Sequence, residues 1–344
     1  MNLPDYHFIG APLWLVTVLH LLTLTLHFFA MNILFGGTAI TLWSSARNRW
    51  GGTQALDFSR LFPAAIAATV TLGVAPLLFL QLVYPRQVYA AAMVSGWFWL
   101  FVPAAVIVAY YALYRASFSG QRTGRVNHVM LALAAAGLIY VSLVYSSVFS
   151  MAEQPALIQS LYAKNQSGWV WNPAVGSYAL RWLHMLAGAL TVGGFFVGMM
   201  GQDNPMVAAT GKTAFTGGMG VAAATGIAYL VWLMPYLEAI MRSPAITVLA
   251  ATILLSLAAL HFFFRKRFWV SGLALFLSVF GMVYVRHVVR LLRLGNAFDP
   301  ASWRIAPQWS PFLLFLVCFV VMLAVLAWLL WMFFRAKDET GTTT

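Results

Sequence analysis

The chain has 344 residues, of which 62% are hydrophobic and 8% charged, against roughly 25% charged in soluble domains. Its formal charge of +12 comes from Lys and Arg dispersed between apolar runs, a pattern that excludes a soluble globular fold and offers no basic face for nucleic acid. What remains is an all-α polytopic membrane protein, and its single cysteine, Cys318, excludes both an intrachain disulfide and the C-x-x-C-H attachment of a c-type haem.

A membrane-spanning helix needs about 20 apolar residues. Nine segments reach that length: 11–44, 62–84, 95–116, 127–150, 178–201, 213–235, 244–264, 268–291 and 310–334. The first runs beyond thirty residues with no basic stretch before it, so it reads as a retained helix and not a cleaved signal peptide. The longest connection, 151–177, carries Pro155, Gly168, Trp169, Trp171 and Pro173, a composition suited to a loop lying at the interface. It separates four helices from five. No sequence repeat between the halves, low-complexity segment or soluble domain is evident, and the tail from Lys337 reads as disordered.

Nine spans put the termini on opposite sides. Arg47, Arg49, Arg60, Arg115, Arg122, Arg125, Lys212, Arg265, Lys266, Arg267, Arg335 and Lys337 fall on one side, which the positive-inside rule assigns to the cytoplasm, with the N-terminus outside. Of the eight basic residues on the other side, Arg286, Arg290, Arg293 and Arg304 cluster beside His287. That cluster breaks the rule and calls for a cause other than topology.

Five of the seven histidines, His20, His27, His184, His261 and His287, fall in or at the edge of apolar runs. Burying an imidazole in hydrocarbon is costly unless it is hydrogen-bonded or ligates something, so haem ligation is the leading reading. His20 and His27 are seven apart, on nearly the same helix face and separated by about 10 Å along the axis. Either could instead hydrogen-bond a carbonyl of a neighbouring helix. His184 is followed by Gly188, Gly193 and Gly194, gaps that admit a flat macrocycle or serve close helix packing. Arg181 lies one turn away and can pair with a haem propionate. Around His287, Arg286, Arg290 and Arg293 can neutralise propionates or orient a quinone head group, or can snorkel as at an ordinary helix end. His261 and His128 read as interfacial, and His7 receives no role. The acids Asp5, Asp57, Glu153, Asp203, Glu238, Asp299, Asp338 and Glu339 all fall in loops, tails or helix ends. A proton-driven transporter, which employs buried acidic or histidine relays, is therefore disfavoured. No P-loop, H-E-x-x-H or G-x-S-x-G context is present. Met31, Met185, Met199, Met200, Met234 and Met282 could act as soft haem ligands, although membrane-helix methionines more often pack.

Leu26-His27-Phe-Phe-Ala-Met-Asn-Ile-Leu-Phe-Gly-Gly in the first span, and Leu183-His184 through Gly198 in the fifth, resemble subunit I of the cytochrome bd quinol oxidases. The resemblance covers most of the chain at weak identity. It implies two four-helix bundles plus a peripheral helix: residues 1–150 as the first bundle, 151–177 as the outer loop, 178–291 as the second bundle, and 292–344 as the peripheral ninth helix with a cytoplasmic tail. It also implies that His27 and His184 ligate haem. The family's third helix holds acids used in haem binding and proton delivery, whereas this chain has none between Asp57 and Glu153. A glutamate three residues before an arginine marks the family's eighth helix; His287 and Arg290 have that spacing here. The family's quinol loop shrinks to 236–244, and its seventh-helix methionine ligand has no counterpart in 245–257.

The expectation is a subunit holding haem b, two or three in number, in a bacterial or archaeal cytoplasmic (inner) membrane. It would transfer electrons between quinone and a c-type cytochrome or iron–sulfur subunit on the outer side, within a hetero-oligomeric complex, with quinol oxidation as the direction. His20, His27, His184 and His287 are the expected metal ligands; Arg181, Arg286 and Arg290 balance propionate charge. The alternatives are a divergent terminal oxidase and a haem-free membrane anchor.

Overall fold

The computed structural model describes residues 8–47, 58–123 and 127–340. Among them are twelve α-helices and no strand: α1 (Leu13–Ala46), α2 (Phe62–Val83), α3 (Pro85–Val94), α4 (Gly96–Thr123), α5 (His128–Ala152), α6 (Pro155–Lys164), α7 (Ala179–Met200), α8 (Pro205–Trp232), α9 (Leu237–Met241), α10 (Ala245–Phe264), α11 (Phe268–Leu294) and α12 (Trp309–Thr340). Eight of these, α1, α2, α4, α5, α7, α8, α10 and α11, are long and apolar enough to cross a bilayer. The chain is an all-α, multi-pass membrane protein. The expected ninth span corresponds to α12, whose described apolar stretch is Trp309–Val325. This helix continues to Thr340, into the tail expected to be disordered, and 341–344 lie outside the described residues.

Local chemistry accounts for the helix boundaries. Asn127 caps α5 by accepting from Met130 N at 3.2 Å. Asn204 caps α8 by accepting from Met206 N and Val207 N, with Pro205 at the first helical position, where its missing N–H costs nothing. This cap starts α8 eight residues before the boundary expected at 213. The apolar pattern is interrupted there by Lys212, whose ammonium lies 4.6 Å from the centre of the Phe264 ring. Three connections that read as loops in the sequence contain short helices, α3, α6 and α9, the first two opened by a proline at the first position.

The molecule divides into two compact units, Thr17–Asp299 and Met1–Val16 with Pro300–Thr344. The buried apolar clusters of the larger include two that each join several spans. One joins Leu34 and Ile40 of α1, Phe62 and Ile66 of α2, Ala109 and Leu113 of α4, and Leu131 of α5. The other joins Val192 and Phe195 of α7, Phe215 of α8, Ala259 and Phe263 of α10, and Leu275 of α11. In the smaller unit Ile9 N donates to Arg304 O at 2.9 Å, Ala306 N to Ile9 O at 3.0 Å and Gln308 N to Gly10 O at 2.7 Å.

Candidate functional site

His27 on α1 and His184 on α7 are held in the same way. His27 Nδ1 lies 2.9 Å from the Thr69 carbonyl on α2, and His184 Nδ1 lies 2.8 Å from the Ala222 carbonyl on α8. A carbonyl oxygen can only accept, so Nδ1 carries the hydrogen in each ring and, in the neutral imidazole, Nε2 keeps its lone pair. Four residues beyond each accepting carbonyl is a glycine against the ring. A Cβ on Gly73 would sit 2.9 Å from His27 Cε1, and one on Gly226 would sit 3.1 Å from His184 Cε1.

The surrounding sequence repeats too. His27, Ala30, Gly36 and Gly37 on α1 match His184, Ala187, Gly193 and Gly194 on α7 in spacing, and Gly73-Val74-Ala75 on α2 matches Gly226-Ile227-Ala228 on α8. The matched glycines meet: a Cβ on Gly193 would come within 2.6 Å of Gly36 Cα. A short spacing match between the halves is therefore present where no repeat was expected; it includes packed glycines and exposed positions such as Val74 and Ile227.

Of the three glycines after His184, two are consumed by packing. Gly193 abuts Gly36 and Gly37, and Gly194 abuts Ala214 and Gly211. Gly188 faces open space: a Cβ at this position would have no neighbouring atom within 4 Å.

His20 and His287 form a second group. His20 is buried, its Nδ1 lies 3.1 Å from the Pro76 carbonyl, and its Nε2 has no hydrogen-bond partner. The two α2 carbonyls that hold His20 and His27 are seven residues apart, like the histidines, so both rings do lie on one face of α1. His20 lies within electrostatic reach of His287 and Arg290, and His287 Nδ1 is buried without a partner. His128 and His261 are exposed at helix ends, and His7 lies outside the described residues.

The arginines Arg181, Arg286 and Arg290 converge with Arg293 on Glu153, the residue that closes α5. Glu153 is 2% exposed. Its Oε1 receives Arg286 Nη2, with Arg290 Nε at 3.6 Å and Arg181 Nη1 at 4.0 Å, and its Oε2 receives Arg293 Nη1 at 2.6 Å. Aromatic faces complete the setting: the Arg290 guanidinium lies 5.6 Å from the Tyr84 ring centre and that of Arg293 lies 5.3 Å from Trp232. Burial works against the Glu153 carboxylate, but the charges of Arg286, Arg181, Arg293 and Arg290 outweigh it and hold the group below the ordinary carboxylate range.

Glu153 is the functional candidate that sequence reasoning misses. Its place at a helix end is as expected, and its burial is not. The available signal is the outer arginine cluster, which requires a counter-charge. Arg304, expected in that cluster, belongs to the smaller unit, where its carbonyl pairs with Ile9.

Among the described residues no three His, Cys, Asp or Glu side chains come together to hold a bare metal ion. A macrocycle brings four equatorial donors of its own and needs one or two protein ligands, which single histidines with a fixed tautomer can supply. No protein-family model matches the chain, and no curated protein matches it.

Proposed function

We propose that this protein is a b-type haem membrane subunit that transfers electrons between the quinone pool and an extracytoplasmic redox partner, with quinol oxidation as the direction. The observation that carries this reading is the duplicated histidine arrangement. In each half an imidazole donates Nδ1–H to a backbone carbonyl of the next helix, an outer partner of the kind that fixes ligating histidines and leaves Nε2 for a metal. Open space beside Gly188 supports a flat ligand at His184. His20 Nε2 and His287 are further candidate donors, with the positive charge of Arg290 acting on both, while Arg181 and Arg286 gather with it on Glu153.

In this reading the protein supplies ligation and electrostatics and the cofactor the redox chemistry. The membrane is a bacterial or archaeal cytoplasmic membrane with the N-terminus outside, and the partner is a c-type cytochrome or iron–sulfur subunit. No acid stands between Asp57 and Glu153 in the sequence, so oxygen reduction is not assigned to this chain. A reduced-minus-oxidised spectrum with a pyridine haemochrome assay tests the proposal. Two or more haem b per chain, reducible by a quinol analogue under anaerobic conditions, is the expected result. Protein purified from haem-replete cells without a haem spectrum would reduce it to a membrane anchor.

A further inference from the structure

Around Glu153, Arg181 Nη1, Arg286 Nη1, Arg290 Nη1 and the hydroxyls of Tyr84 and Tyr229 are buried without a hydrogen-bond partner in this geometry, and so are Gln87 Oε1, His20 Nε2 and His287 Nδ1. Burial pushes the Tyr84 phenol up, so it remains a donor at neutral pH. Four guanidinium groups meet the Glu153 carboxylate, and a second carboxylate, Asp299, acts on Tyr84, so positive charge outnumbers negative here, and a buried charge without a partner is costly.

The four arginines are not equally committed. Arg293 and Arg286 each hold a separate oxygen of Glu153, whereas Arg290 and Arg181 reach it only at 3.6 and 4.0 Å. A cavity of about 10 Å3, lined by Tyr84, Gln87, Glu153 and Arg290 and otherwise by apolar side chains, with Arg181 not among them, has room for about one oxygen atom or water.

We propose that Arg290 and the Tyr84 hydroxyl form a binding site for an oxyanion, a carboxylate or phosphate oxygen at the end of a membrane-borne amphiphile. Glu153 holds Arg286 and Arg293 and thereby limits the site to one such group. Water could satisfy individual N–H groups but would leave the charge excess untouched. Two sources carry the required chemistry, a haem propionate and the phosphate of an anionic phospholipid. The first rests on the haem reading; the second stands without it.

The test uses the full chain in phosphatidylcholine nanodiscs. In one arm, haem-stripped protein is titrated with haem b and with its dimethyl ester, in which both propionates are capped. In the other, phosphatidylglycerol retained after exchange from mixed-lipid discs is counted by mass spectrometry. The site is supported if haem b binds at least tenfold more tightly than the ester, or if one phosphatidylglycerol per chain is retained. Either preference should vanish in Arg290→Gln, fall severalfold in Tyr84→Phe and persist in Arg242→Gln, which removes an exposed ion pair with Glu238. Wild type that binds haem and ester equally and retains no phosphatidylglycerol overturns the proposal, and this comparison needs no variant to fold. If neither porphyrin binds, the haem reading fails while lipid retention alone still decides the oxyanion site.

Discussion

His27 rests on the Thr69 carbonyl and against Gly73, and His184 rests on the Ala222 carbonyl and against Gly226. The backbone cradle is thus the same in both halves. Around it the two differ. One turn after the histidine α1 carries Met31 where α7 carries Gly188, and three residues before it α1 carries Leu24 where α7 carries Arg181. The second half therefore has open space and a buried cation that the first lacks. Orientation of the imidazole comes from shared backbone geometry, while the identity and setting of any ligand are left to side chains that have diverged.

The largest expected effect comes from removing the imidazoles themselves. His184→Ala should lose at least one haem equivalent, and His27→Ala a further one, with both variants inserting normally. Haemochrome stoichiometry on purified protein checks this. If His27→Ala keeps the full complement, the two cradles are alike in structure only, and the first is a helix-to-helix hydrogen bond.

Next in size is the counter-ion. Glu153→Gln leaves four buried guanidinium groups around a neutral amide, and breaking a buried ion pair from one side costs about 3–5 kcal/mol. The pH dependence follows from the depressed Glu153 pKa. Its contribution is complete above the ordinary carboxylate value of about 4.3 and is lost as pH falls through the lower folded-state value. Thermal unfolding in detergent should show the wild-type advantage over Glu153→Gln constant from pH 7 to about 5 and shrinking only in stronger acid. An advantage that already declines near neutrality would mean that the arginines do not hold the carboxylate ionised.

The glycines separate packing from site-building. Gly193→Ala drives a methyl group into Gly36, and overpacking of this kind costs about 1–3 kcal/mol. Gly188→Ala meets nothing within 4 Å and should leave stability unchanged within about 0.5 kcal/mol. Equal destabilisation by both would show that α7 is packed on the Gly188 side as well.

These contrasts mark where sequence reasoning carries and where it stops. Apolar run length locates the eight bilayer-spanning helices because a membrane helix must satisfy its backbone internally whatever its neighbours are. It misplaces the start of α8, which the polar cap at Asn204 decides and not hydropathy. The histidines stand out because an imidazole in an apolar run demands a partner, but which carbonyl or ligand meets it depends on helix pairing. Glu153 is hidden for the same reason. A carboxylate at a helix end normally faces water, and only the approach of α7 and α11 encloses this one. Gly193 and Gly194 read alike with Gly188 in sequence, and contact with α1 and α8 alone tells packing glycines from an open one.

The smallest expected effect on stability is the most direct test of the difference between the halves. Gly188→Met places on α7 the side chain that α1 has at the matching position, one turn from the histidine. Nothing stands within 4 Å of the new Cβ, so the unbranched side chain can extend without displacing a helix, and the melting temperature should stay close to wild type. If the open space beside Gly188 receives the ligand of His184, the thioether must obstruct it. Obstruction lowers haem content by up to one equivalent, read by haemochrome assay. Met31→Gly in α1 should alter the first cradle in the opposite sense, by opening it. Unchanged haem content in Gly188→Met would place the His184 ligand on another side of the ring, and the divergence of Met31 from Gly188 would then reflect contact with lipid and not the site.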